Sequence, residues 1–210
     1  MASEQAPRAA RARGGLTLGL LSDIGEAVII RHTLFSLPFA LIAILLETGG
    51  KPKLLDVVLI LIAAAAARNA ANALNRIIDA KIDANNPRTA GRHLPSGKLK
   101  AGQLWAFTAI MLALLVSCAW LLDPLCVLLL PLAGVMVFGY SFTKRYTWLC
   151  HFWLGLTCAA APMGALIAVS GRIEFRFFVL AGAVAAWVAG FDIIYARGDL
   201  DLDRRQGIHS

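Results

Sequence analysis

Six stretches of the sequence are almost wholly apolar, at residues 27–46, 54–74, 104–122, 125–142, 147–169 and 177–196. Each approaches the ~20 residues that an α-helix needs to cross a bilayer. Lipid offers the backbone no hydrogen-bond partners, so segments of this kind must be helical. The pattern predicts an all-α fold, a polytopic transmembrane bundle of about six helices, with 23–210 as one domain. Residues 1–22 read as a basic, disordered N-terminal tail. Pro38 is placed to kink the first helix.

The second apolar stretch does not stop at a loop. Its helical period continues into Asn75, Asp79 and Asp83, which stand at i, i+4 and i+8. A helix gathers these three on one face within roughly 80° of arc. Arg68 and Asn72 fall near the same stripe in the preceding turns. The last apolar stretch ends in a similar way, with Asp192, Asp199 and Asp203 at i, i+7 and i+11. Helical geometry keeps those within roughly 40° of arc, while Asp201 points elsewhere and Gly198 weakens the helix. Counting the crossings between them brings both ladders to the same side of the membrane. The loop 85–100 on that side carries Arg88, Arg92, His93, Lys98 and Lys100 and no acidic residue. It reads either as a topology determinant or as an anion-binding cap.

Composition agrees with the pattern. Of 210 residues 59% are hydrophobic and 16% charged, where a soluble domain carries about 25% charged residues. A net charge of +7 would point to nucleic acid in a soluble protein; here its distribution excludes that. With the N-terminus inside the cell, fourteen Lys and Arg face the cytoplasm and four the outside. Arg31 and Arg68 lie within spans. That positive-inside bias fixes an orientation, with the protein integral and multi-pass in the cell (inner) membrane and both ladders cytoplasmic. Cys118, Cys126, Cys150 and Cys158 lack metal-ligand spacing and read as small buried hydrophobes. No cleavable signal peptide is visible.

Two facing carboxylate clusters repel each other unless cations sit between them. Magnesium prefers oxygen ligands and often bridges phosphates, so the arrangement suits a diphosphate. The plain alternative is that the aspartates mark helix ends among polar headgroups. That serves for one ladder better than for two on one side. Arg68 is a separate signal, because an arginine within a span costs about 2.5–3.5 kcal/mol on insertion scales. It either contacts a substrate anion or snorkels to a carboxylate. His32 and His151 have no partners at ligand spacing and read as core histidines. Intramembrane Arg and Asp also mark ion routes, so a transporter is a rival reading, although the carboxylates cluster at one interface.

The segment Asn75-Arg76-Ile77-Ile78-Asp79-Ala80-Lys81-Ile82-Asp83 resembles the first Asp-rich motif of the UbiA superfamily of intramembrane aromatic prenyltransferases. Asn86-Pro87-Arg88-Thr89-Ala90-Gly91-Arg92 and Leu94-Pro95-Ser96-Gly97 are similar to that family's following loop. Asp192-Ile193-Ile194-Tyr195-Ala196, with Asp199, Asp203, Gly207 and Ser210, resembles its second motif, and Tyr140-Ser141-Phe142-Thr143-Lys144-Arg145 its loop after the fourth helix. The likeness runs from about Gly25 to the end and is strongest to the 4-hydroxybenzoate polyprenyltransferase branch, which includes proteins of the futalosine route to menaquinone.

The resemblance implies a nine-helix fold, of which this chain holds about six. It implies Mg2+ as cofactor, with Asn75, Asp79, Asp83, Asp199 and Asp203 holding metal and diphosphate. Lys144 and Arg145 would bind the diphosphate and Arg68 the aromatic carboxylate or diphosphate. Asp192 and Tyr195 would support the second cluster. The implied partners are a polyprenyl diphosphate, an aromatic acid acceptor and the lipid bilayer; no nucleic acid and no protein partner is indicated. The expected reaction transfers the polyprenyl chain to a 4-hydroxybenzoate-like acceptor in ubiquinone or menaquinone biosynthesis. Other acceptors (a futalosine-pathway naphthoate, homogentisate, a haem) and a non-catalytic truncated remnant are the alternatives.

Overall fold

The computed structural model describes residues 13–28, 30–87, 89–143 and 145–198, with side chains outside 13–18 and 30–36. Its elements are α1 (Arg13–Ala27), α2 (Ile30–Glu47), α3 (Leu54–Ala84), α4 (Ala101–Leu122), α5 (Pro124–Thr143), α6 (Cys150–Ser170) and α7 (Phe175–Ala196). Each of the six apolar stretches carries a helix, α2 beginning at Ile30 and α6 at Cys150, and no strand occurs among the described residues. Five helices, α3 to α7, are long and apolar enough to cross a membrane. In α2 the described apolar segment, Leu37–Glu47, is shorter, and the helix runs unbroken through Pro38.

α1 departs from the sequence expectation, which placed a disordered tail over 1–22. The helix begins at Arg13; residues 1–12 lie outside the described ones. Tertiary contacts account for it. Ile24, Ala27 and Val28 bury against Ala73 of α3, Leu99 of the loop before α4, and Leu104 of α4. The carbonyl of Ala27 accepts from Arg76 Nε at 3.1 Å, and that of Val28 from Asn72 Nδ2 at 2.8 Å. These bonds occupy carbonyls that a helix end otherwise leaves without partners.

α3 has 31 residues, which makes it about 46 Å long against a hydrocarbon layer of ~30 Å. Its last turns therefore project beyond the apolar part of the bundle, and they carry the first acidic ladder. α3 packs on α2 and α4, while α6 sits centrally against α2, α5 and α7. The core between them is formed by Ala40, Ala43, Ile44, Ile60, Leu166 and Phe177, among others. Large apolar side chains on the outer faces, such as Trp120, Leu128, Phe178 and Trp187, remain exposed.

Small residues permit the closest approaches. A Cβ on Gly155 of α6 would lie 2.3 Å from the Ala185 carbonyl oxygen of α7. Gly171 closes α6 at φ 64°, its N–H donating to the Ile167 carbonyl at 2.8 Å. At this end, away from the ladders, Arg176 reaches Glu47 of α2 at 3.0 Å and also pairs with Glu174. The Arg176 hydrogen bond holds the Glu174 carboxyl below its ordinary range.

Candidate active site

The helical period of α3 does gather Asn75, Asp79 and Asp83 at the polar end of the bundle. Asp79 is 2% exposed and Asp83 6%, which is unusual for carboxylates unless charge meets them. Arg92 Nη1 donates to both Asp83 oxygens, at 2.6 and 2.7 Å. Arg76 Nη1 stands 3.8 Å from Asp83 Oδ2, and Thr89 Oγ1 donates to the Asp83 carbonyl at 3.0 Å. The basic loop thus folds back over α3 as a cap. From the loop after α5, Arg145 Nη2 donates to the Ile78 carbonyl at 2.9 Å and lies 3.5 Å from Asp79 Oδ1.

The second ladder is only partly visible. Asp192 is half-buried near the end of α7, and its Oδ2 lies 2.7 Å from Nδ1 of the buried His151 on α6. Tyr195 stands three residues further along α7. It stacks on Phe191, ring centroids 6.5 Å apart, and both rings are exposed. α7 ends at Ala196, and Asp199, Asp203 and Lys144 lie outside the described residues. Tyr140, near the end of α5, is within electrostatic reach of Asp79, Asp192 and Cys158. It thus stands in the neighbourhood of both Asp79 and Asp192.

Arg68 lies further along α3 and donates from Nη1 to Cys158 Sγ at 3.0 Å. Among the described residues it is the one charged side chain lining an apolar cavity of about 400 Å³ walled chiefly by α3, α5 and α6. A second cavity of about 310 Å³ opens under the cap, lined by Glu26, Arg76, Asp83, Arg92 and His93. His93 Nε2 stands 3.6 Å from Glu26 of α1.

Besides the Ser141 hydroxyl, three enclosed polar atoms among the described residues make no hydrogen bond: Arg68 Nε, Arg145 Nε and Asn75 Oδ1. Buried polar groups are nearly always satisfied, so each such atom calls for an explanation. Two are cationic donors, which fit anions; the third is a hard oxygen acceptor, which fits a cation. No three of His, Cys, Asp and Glu form a metal cage among the described residues. Magnesium does not require one, because it binds through one or two carboxylates together with phosphate oxygens and water. Asn75 and Asp79 fit that donor set. Asp83 joins it only if Arg92 withdraws.

Sequence reasoning singled out Asp79, Asp83, Asn75, Arg68 and Arg145, and all stand at or beside this end. It did not assign Arg92, His151, Tyr140 or Cys158 to the site. Arg92 carried a signal in the acid-free loop, and His151 carried one in its depth along α6.

A buried acid and arginine cluster thus stands at one end of an apolar helical bundle, with an apolar cavity further along α3. A model of the UbiA prenyltransferase family matches residues 36–210, and the chain belongs to that family. It is 29% identical over 168 residues to a 4-hydroxybenzoate octaprenyltransferase from Azotobacter vinelandii, covering 80% of this chain and 57% of that protein. It is also similar to the apo structure of a UbiA homologue from Aeropyrum pernix K1. That likeness has TM-score 0.79 and 37% identity, and covers 85% of this chain and 68% of the other. A UbiA homologue from Archaeoglobus fulgidus, solved bound to DMAPP and Mg2+, shares the fold at TM-score 0.70 and 18% identity, over 89% of this chain and 67% of that one. The chain spans less than two thirds of the length of the curated relatives it matches. With five apolar helices and these relatives, it is a multi-pass membrane protein.

Proposed function

We propose that this protein transfers a polyprenyl chain from its diphosphate to a 4-hydroxybenzoate-like aromatic acid in quinone biosynthesis. The observation that carries the reading is the set of three unpaired polar atoms, on Asn75, Arg145 and Arg68, ranged from the polar end to the apolar cavity. In this reading Asn75 and Asp79, with Asp83, Asp199 and Asp203, hold Mg2+ and the diphosphate. Bound magnesium supplies charge neutralisation that makes the diphosphate a better leaving group. Arg145 and Lys144 take diphosphate oxygens, and the Arg145 Nε is pre-positioned for one.

The apolar cavity receives the prenyl chain, and its walls keep water from the allylic cation once the diphosphate has left. Arg68 offers its Nε to the acceptor carboxylate or to the diphosphate. Tyr195, near the end of α7, stands beside the second cluster, while Asp192 is engaged by His151. In this reading the protein lies in the inner membrane with its N-terminus and capping loops cytoplasmic, an orientation that the positive-inside bias supports. A naphthoate of the futalosine route, homogentisate and haem are the competing acceptors.

The test compares transfer to these acceptors by membranes carrying the protein or its Asp79→Ala variant. Removal of a buried metal-facing carboxylate lowers transfer by roughly 100-fold or more. Turnover that survives Asp79→Ala contradicts the assignment.

A further inference from the structure

The pair formed by His151 and Asp192 is not used in the diphosphate binding proposed above. It lies at the same end of the bundle as Asp79, since Arg145, whose Nη2 is 3.5 Å from Asp79 Oδ1, stands six residues before His151. A carboxylate only accepts hydrogen bonds, so the 2.7 Å contact places the proton of a neutral imidazole on Nδ1. Nε2 then carries a lone pair. That nitrogen makes no hydrogen bond among the described residues and is not among the fully enclosed unpaired atoms. His151 as a whole is only 7% exposed. An oriented imidazole with one free lone pair, in a mostly dry site, is the arrangement of a general base.

Resting on the proposed function, we propose that His151 Nε2 accepts the proton that the aromatic ring must lose, with Asp192 orienting the imidazole. The carbon–oxygen bond of the prenyl diphosphate breaks and its electron pair leaves with the diphosphate. The ring carbon beside the phenolic hydroxyl then forms a bond to C1 of the prenyl cation. The cationic ring regains aromaticity by giving its C–H electron pair back to the ring and its proton to Nε2. The resulting imidazolium is stabilised by the Asp192 carboxylate, which stays ionised, and passes the proton to water. This makes His151 a catalytic residue of the acceptor half of the reaction and gives it no part in the donor half.

The two halves are separable in one experiment. Membranes carrying the protein, His151→Gln or Asp192→Asn receive polyprenyl diphosphate, Mg2+ and 4-hydroxybenzoate, either unlabelled or deuterated beside the hydroxyl. Diphosphate release, prenylated product and free prenol are measured. His151→Gln is expected to keep diphosphate release within about threefold while product falls at least 30-fold and prenol rises. Its residual transfer shows a primary isotope effect of about 3 or more from slowed proton removal, where the unsubstituted protein shows a smaller one. Asp192→Asn gives the same split in milder form.

Unchanged product formation by His151→Gln overturns the proposal. So does joint loss of release and transfer in both variants, which marks a structural role, or a fall in transfer with no isotope effect. Absence of transfer by the unsubstituted protein overturns the function reading itself, and this inference with it.

Discussion

Asp83 keeps both carboxylate oxygens on a single guanidinium nitrogen of Arg92, at 2.6 and 2.7 Å. Arg92 therefore stands where a metal ion would have to bind that carboxylate. In the proposed reaction the two compete, so Arg92→Ala lowers the Mg2+ concentration for half-maximal transfer. The shift is about 5-fold, equivalent to a half-exposed pair worth ~1 kcal/mol; a magnesium titration of transfer rate that moves upward or not at all refutes the competition. Of these residues, Asn75, Asp79 and Asp83 were legible in the sequence because one helical period relates them. Arg68 was legible because an arginine in an apolar stretch stands out. The pairing of His151 with Asp192 was not, because it joins two helices and no single period contains it. The information was nonetheless present as depth. His151 lies 20 residues before Gly171 and Asp192 lies 18 after Glu174, at matching distance from the turn that joins α6 and α7.

The elements α3 to α7 follow directly from hydropathy, since an apolar run of that length has one solution in lipid. α1 does not. It is short of apolar residues, and it holds through Ile24, Ala27 and Val28 packed on α3 and α4, together with the bonds from Asn72 and Arg76. Isolated helices of that length are marginal in water, so only the tertiary partner reveals it. The α6–α7 pair shows the opposite case, in which small residues in the sequence announce close packing. Gly155 meets the Ala185 backbone so closely that any side chain displaces one helix. Gly155→Val is therefore expected to destabilise the bundle by about 1–3 kcal/mol, the range of overpacked cores. Thermal unfolding in detergent reads this as a lowered Tm. An unchanged midpoint contradicts the contact, and because α6 also carries His151, transfer should fall in parallel.

At the scale of the whole molecule, the bundle separates an apolar cavity of about 400 Å³ from a polar cap, and α3 reaches into both. The alternation of spans predicts that the two acidic ladders converge; of the second ladder the described residues include Asp192, at the end of the bundle where Arg145 meets Asp79. The cap was left open by the sequence, because an acid-free loop serves topology as well as it serves a site. Its fold over Asp83 depends on contacts of Arg92 and Thr89 that composition does not encode. The central claim is that this end of the bundle activates a prenyl diphosphate for an aromatic acceptor. Diphosphate release from a polyprenyl diphosphate by the 210-residue chain in detergent, with and without Mg2+ and 4-hydroxybenzoate, tests it most directly. The account predicts release that requires Mg2+ and is accompanied by prenylated acceptor. Release that ignores magnesium, or flux of ions through proteoliposomes with no release at all, would contradict it.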